Sequence, residues 1–262
     1  MLDALSPQRR RVVLLAAGLA LLLVLVLGVT AALRLRAGSV PPVPPGAPGP
    51  VLLVPGYGGR GASLETLART LRSAGRDVVV VEPVGDGTGD LRAQAAHLDE
   101  VARQVVADRR APSVDVLGYS AGGVVARLWV RDEGGARLAR RVLTLGAPQH
   151  GTSQAALGAE LAGGCPEACE QLVPGSDLLR RLNARDETPA GPAWVTIRST
   201  ADQVVTPVGS AALDGALNLV VQDACPAART SHSGLPTDPY VLATTVLVLG
   251  PGAPVAPSRP TC

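Results

Sequence analysis

The sequence predicts a three-layer α/β fold, a mainly parallel sheet with helices on both faces. Three observations carry this. From residue 51 onward, short apolar runs alternate with amphipathic helical stretches. The runs are apolar on both faces, as in strands buried in a parallel sheet, instead of alternating apolar with polar. With 262 residues, 47% of them hydrophobic, the chain can bury the core of one ordinary-to-large domain.

Each element has a local reason. Residues 51–54 (VLLV) run into Pro-Gly and read as a buried strand. Residues 63–74 place Leu64, Leu67, Ala68 and Leu71 at helical spacing, with Ser63 as N-cap and Gly75 as stop. Residues 77–82 contain VVVV, a strand. Residues 90–110 set Leu91, Ala95, Leu98, Ala102 and Val105 on one stripe of a long helix. A strand at 114–117, a helix at 124–130 and a strand at 142–145 follow, then two more strands at 193–198 and 217–221. Residues 150–190 break the rhythm with Gly, Cys and one short helix near 177–182. They are expected to cover the C-terminal edge of the sheet. No internal repeat is visible.

The N-terminus is of a different kind. Residues 12–33 are 22 uncharged residues, about 33 Å as a helix and enough for a hydrocarbon core of about 30 Å. Arg9, Arg10 and Arg11 precede them, so the N-terminus is expected inside and the rest exported. An uncleaved signal anchor fits the length and the arginines at 34 and 36. A signal peptide cut after Val29-Thr30-Ala31 fits as well. The chain thus divides into a membrane segment (1–37), a Pro-rich extended linker (38–50) and a catalytic domain (51–262).

Composition excludes several chemistries. All 24 basic residues are arginine. Without lysine there is no P-loop lysine, no Schiff base and no Ser–Lys pair. The net charge of +2 belongs to the N-terminal arginines; residues 38–262 carry −2. No basic patch with interleaved aromatics suggests a nucleic-acid partner. Four cysteines allow three pairings. Cys165–Cys169 with Cys225–Cys262 is favoured, because the second would tie the Pro-rich tail to the domain. Disulfides agree with export, and a metal site lacks a second close Cys or His pair.

The chemistry centres on Gly118-Tyr119-Ser120-Ala121-Gly122, a G-x-S-x-G between a strand and an apolar helix. Small residues two before and two after a serine allow a sharp strand-to-helix turn that lifts its hydroxyl above the sheet. The following helix points its N-terminus at developing negative charge. A serine nucleophile needs a base, and in a lysine-free chain histidine is the expected one. His97 lies off the apolar stripe of its helix and reads as a surface residue. His150 follows a strand but precedes any plausible acid. His232, in TSHSG, comes last in the order Ser…Asp…His. Asp202 follows the strand AWVTIRS and would hold the imidazole's tautomer; Asp214 and Asp223 are its rivals. Backbone N–H groups of Ala121 and of Tyr57, in the loop PGYGG, would stabilise an oxyanion.

The pieces VLLVPGYGG, VDVLGYSAGGVVAR, LTLGAPQHGT, GCPEACEQLVPGSDLLRRLN, STADQVVTP and LNLVVQDACP with SHSGLP resemble the α/β-hydrolase family in content and order over residues 51–250. More narrowly they are similar to small secreted lipases and esterases of actinobacteria and bacilli. The resemblance implies a three-layer α/β-hydrolase fold with minimal or no lid. It implies Ser120 as nucleophile, Asp202 as acid and His232 as base. It also implies Tyr57 and Ala121 as oxyanion donors. Many relatives have His-Gly where this chain has Pro55-Gly56. The implied activity is hydrolysis of acyl esters or lipids by an exported monomer without cofactor or metal. An acyltransferase of the cell envelope on the same fold is the alternative, and a non-catalytic binding module the third reading.

Overall fold

The computed structural model describes residues 8, 16, 18–26, 28, 43, 44, 46–59, 61–161 and 164–262. It divides into two units, Met1–Val40 and Pro41–Cys262. In the first, residues 18–26 are helical. The rest of the expected membrane segment lies largely outside the described residues, as does part of the linker. Among the described residues no helix is long and apolar enough to cross a membrane.

The second unit is built on six parallel strands: β1 (Val51–Val54), β2 (Val78–Val80), β3 (Val114–Tyr119), β4 (Ala139–Leu145), β5 (Ala193–Arg198) and β6 (Leu217–Val220). Their order in the sheet is β2-β1-β3-β4-β5-β6. The chain therefore steps outward from β1 to β2 and then crosses back to β3. This reversal opens a crevice beyond the C-terminal ends of β1 and β3, where open α/β sheets take their ligands. Val54, the last residue of β1, lies level with Gly118 of β3, and Gly118 with Thr144 of β4.

Strand residues alternate between two cores, one on each face. Leu52, Val54, Val116 and Val142 face helices α2 (Leu91–Arg109) and α3 (Ala121–Asp132). Val51, Leu53, Leu117 and Leu143 face α1 (Glu65–Ser73) and α8 (Pro239–Val248). Helix α2 buries the expected stripe of Leu91, Ala95, Leu98, Ala102 and Val105, and Asp90 caps it by accepting from the Arg92 N–H. Helix α1 begins later than expected. A 3₁₀ turn at Gly61–Leu64 precedes it, Leu64 takes the cap position, and Ser63 lies within the turn.

The stretch 150–190 forms three helices, α4 (Ser153–Leu161), α5 (Glu167–Gln171) and α6 (Asp177–Leu182). Its first turn is bonded to the loop beyond the C-terminal end of β5, where the Ser153 N–H donates to the Thr206 carbonyl at 2.9 Å and Gln154 Nε2 to that of Gln203 at 3.3 Å. Ala168, Leu172, Leu178, Leu179 and Leu182 are buried in the same core as α2 and α3. Gln171 Oε1 accepts the first N–H of α2, that of Leu91, at 2.8 Å. The Cys165–Cys169 disulfide (Cα–Cα 5.8 Å) closes this segment, and Cys225–Cys262 (Cα–Cα 5.7 Å) fastens the C-terminal tail beside α7 (Val221–Ala224).

Candidate active site

Ser120 stands alone between the end of β3 and the start of α3, with φ 53° and ψ −127°. Few non-glycine residues adopt this conformation, and it costs on the order of 1–3 kcal/mol. The turn is possible because its neighbours have no side chains. A Cβ on Gly118 would lie 2.4 Å from the Gly122 carbonyl oxygen, and one on Gly122 2.3 Å from that of Val54. The backbone also holds the serine directly. Its N–H donates to the Leu145 carbonyl, and its own carbonyl accepts from Gly123.

The structure brings three of the predicted side chains into one chain of hydrogen bonds. Ser120 Oγ lies 3.0 Å from His232 Nε2, and His232 Nδ1 lies 2.7 Å from Asp202 Oδ2. Their order along the sequence scatters them over 112 residues; the parallel sheet gathers them at one edge. Asp202 Oδ2 faces the imidazole, while its Oδ1 accepts from the N–H groups of Val204 and Val205 at 2.8 and 2.9 Å. The carboxylate side chain is only 3% exposed. An ionised carboxylate so placed favours the tautomer with the proton on Nδ1, leaving Nε2 free to accept from the serine.

The other candidates lie elsewhere. His97 is on α2, 3.6 Å from Glu100. His150 bridges the Ser210 carbonyl and Glu187 (2.7 Å). Asp214 donates its N–H to Glu187, and Asp223 is in α7.

The loop after β1 packs against the serine. A Cβ on Gly56 would lie 2.9 Å from Ser120 Cβ. Gly58 donates to the Gly87 carbonyl at 3.3 Å, which holds the loop from behind. The Ala121 N–H is the first of α3, so it has no acceptor within the helix. Among the described residues the Tyr57 N–H has no acceptor either. Both N–H groups are thus without a protein acceptor among the described residues. Gly56, Tyr57, Gly58, Gly59, Ser63, Tyr119, Ser120, Val204 and His232 line a cleft of about 420 Å³. No described residue of 150–190 lines it.

Some features had no sequence signal. Tyr119, the variable position before the serine, donates its phenol to the His232 carbonyl at 3.1 Å, and its ring stacks on the imidazole. Burial, with Asp202 adding, pushes that phenol up to about 12. Gly146 leaves room behind the acid–base pair: a Cβ there would lie 3.2 Å from Asp202 Oδ2 and 2.6 Å from Leu235. Thr152 donates to the Val204 carbonyl and accepts from Thr206, which clamps the loop carrying Asp202. Only its place in LTLGAPQHGT could have hinted at this.

No protein-family model matches the chain, and no curated protein does either. Solved structures do match. Aspergillus fumigatus lipase B is 24% identical with a TM-score of 0.70, over 79% of this chain and 54% of that one. The chain thus spans about half the length of the fungal lipase. The mature form of a Bacillus licheniformis lipase is 17% identical with a TM-score of 0.65, over 80% of this chain and 94% of that one. A metagenome-derived lipolytic enzyme is 17% identical with a TM-score of 0.57, over 81% and 97%. These likenesses establish an α/β-hydrolase fold.

Proposed function

We propose that this α/β-hydrolase-fold chain is a serine hydrolase of carboxylic esters, with Ser120 as nucleophile, His232 as base and Asp202 as its orienting acid. The observation that carries the reading is the unbroken path Asp202–His232–Ser120, with contacts of 2.7 and 3.0 Å, ending on a strained serine in an open cleft. His232 Nε2 takes the hydroxyl proton as Ser120 Oγ attacks the ester carbonyl carbon. The oxyanion so formed is met by the N–H groups of Tyr57 and Ala121. The imidazolium returns its proton to the departing alkoxide, leaving an acyl-enzyme. Water, activated by the same histidine, then releases the acid. The open cleft admits water to the acyl-enzyme, and product analysis with competing alcohol acceptors separates hydrolysis from transfer.

The lining suits an apolar acyl group. Glycines 56, 58 and 59 leave space, and the side chains of Tyr57 and Val204 supply apolar walls. Two disulfides support an exported domain, held at the membrane or released from it by the N-terminal segment. The test pairs a p-nitrophenyl ester chain-length series with fluorophosphonate labelling. Ester turnover and labelling are expected, and Ser120→Ala should abolish labelling and lower kcat on the order of 10⁴-fold or more. Full esterase activity in Ser120→Ala would end the proposal.

A further inference from the structure

Two hydrogen bonds hold the His232 ring, one at each nitrogen, to Asp202 and to Ser120. Each contact fixes one ring nitrogen, and neither acts on the face of the ring or on the backbone that carries it. A third restraint has to come from the face of the ring or from the backbone that carries it. Tyr119 supplies both. Its phenol donates to the His232 carbonyl at 3.1 Å, and its ring lies against the imidazole with centroids 5.2 Å apart and planes at 30°. The contact spans 113 residues of sequence, yet Tyr119 is bonded directly to Ser120. It is also the last residue of β3, a strand paired on both sides.

We propose that Tyr119 is a positioning residue that fixes the plane of His232 relative to the neighbouring Ser120, so that proton transfer does not wait for the ring to find its orientation. This rests on the ester-hydrolase reading for its effect on rate, though not for its effect on the histidine. The residue is 8% exposed. Its hydroxyl is directed at a backbone carbonyl, which can only accept, so the phenol stays a donor. Burial keeps it protonated far above neutral pH. The loop beyond is braced by a second pair of contacts. Ser199 Oγ donates to the Thr230 carbonyl at 2.6 Å, and Thr230 Oγ1 donates to Asp238. Those contacts hold the loop in place, whereas Tyr119 stacks on the imidazole itself.

The experiment compares the full chain with Tyr119→Phe and Tyr119→Leu. It uses p-nitrophenyl butyrate kinetics, the rate of fluorophosphonate labelling, thermal unfolding, and the far-downfield proton resonance of the His232 Nδ1–H to Asp202 bond. Phe keeps the ring and loses one hydrogen bond, so kcat and labelling rate should fall about fivefold with KM unchanged. The resonance should broaden or move. Leu removes the ring as well, and loss of orientation should cost about 100-fold. If Leu fails to fold, Phe alone decides. A Phe variant with wild-type kcat and an unaltered resonance overturns the proposal. So does one whose only change is a lower Tm, which would make Tyr119 a core residue. If the unmodified chain neither turns over the ester nor labels at Ser120, the ester-hydrolase reading fails. The resonance comparison still decides Tyr119 in that case.

Discussion

The conformation of Ser120 makes a measurable claim about stability. A positive φ of 53° with ψ near −127° is one that glycine adopts freely and other residues do not. Replacing Ser120 with Ala or with Gly removes the same hydroxyl and the same hydrogen bond to His232, so activity is lost in both. The two variants differ in the Cβ. Alanine keeps the backbone strain, on the order of 1–3 kcal/mol. Glycine relieves it, against an added conformational entropy in the unfolded chain of about 0.5–1 kcal/mol. Little packing is lost, because the serine borders the open cleft. Ser120→Gly should therefore be more stable than Ser120→Ala by about 1 kcal/mol, which for a domain of this size raises Tm by about 2–4 °C. Thermal unfolding followed by circular dichroism reads this directly. An alanine variant as stable as the glycine one, or more so, would refute strain at the elbow.

Further outcomes follow from the same structure. Gly122→Ala drives a Cβ into the carbonyl oxygens of Val54 and Pro55 (2.3 and 2.5 Å), and should cost about 1–3 kcal/mol and most of the esterase activity. Gly209→Ala, with open space around it, should be neutral in both assays. Replacing Cys225 and Cys262 by Ser opens a link across 37 residues and should cost about 4 kcal/mol, against about 2 for the Cys165–Cys169 pair across 4, as read by chemical denaturation. Asp115→Asn strands Arg76 and Arg140 around a site with no exposure, and should cost about 3–5 kcal/mol in the same measurement. Burial pushes the Glu187 carboxyl up, but the Asp214 N–H, His150 and Arg127 outweigh it and hold the group below its ordinary range. Its stabilisation is then complete above the unfolded carboxylate value, near 4.5, and is lost as pH falls through the lowered folded value. Glu187→Gln should flatten that part of the stability–pH curve.

What could be read from the sequence follows from which forces are local. The stripe of α2 and the apolar strands are periodic patterns, and they recur as buried positions in the structure. Helix α8 reads PYVLATTVLV, apolar on all sides and rich in β-branched residues, so no period marks it. It becomes a helix because Pro239 and the Asp238 cap start one and the core beneath β1 and β3 takes its side chains. The start of α3 was hidden for the opposite reason. Ala121-Gly122-Gly123 are weak signals on any scale, and they are helical because only small residues pass Val54, Pro55 and Ala147. Ser120, His232 and Asp202 were legible because the order of strands fixes which loops meet. Tyr119 and Gly146 were not, since nothing in spacing says where a ring points or what a missing Cβ makes room for.

The two ends of β3 divide the work of this domain. At its C-terminal end lies the serine in a strained backbone conformation, a feature that lowers stability wherever it occurs. At its N-terminal end Asp115 is fully buried and paired. Arg140 Nε donates to it at 2.9 Å and Arg76 Nη2 at 2.6 Å. The same guanidiniums reach the last carbonyls of the chain's final helix and beyond. Arg140 donates to Leu249 at 2.8 Å and to Gly250 at 3.0 Å, and Arg141 to Gly250 at 2.8 Å. Cations at a helix C-terminus meet the negative end of its dipole and satisfy carbonyls that the helix leaves open. Arginine suits this role better than lysine, because one planar fork serves a carboxylate and two carbonyls at once. The network thus ties β3, β4 and α8 together on the side of the sheet away from the cleft. Every residue in it can be optimised for stability without touching the chemistry. The opposite edge is free to hold a backbone conformation that only the surrounding fold makes tolerable.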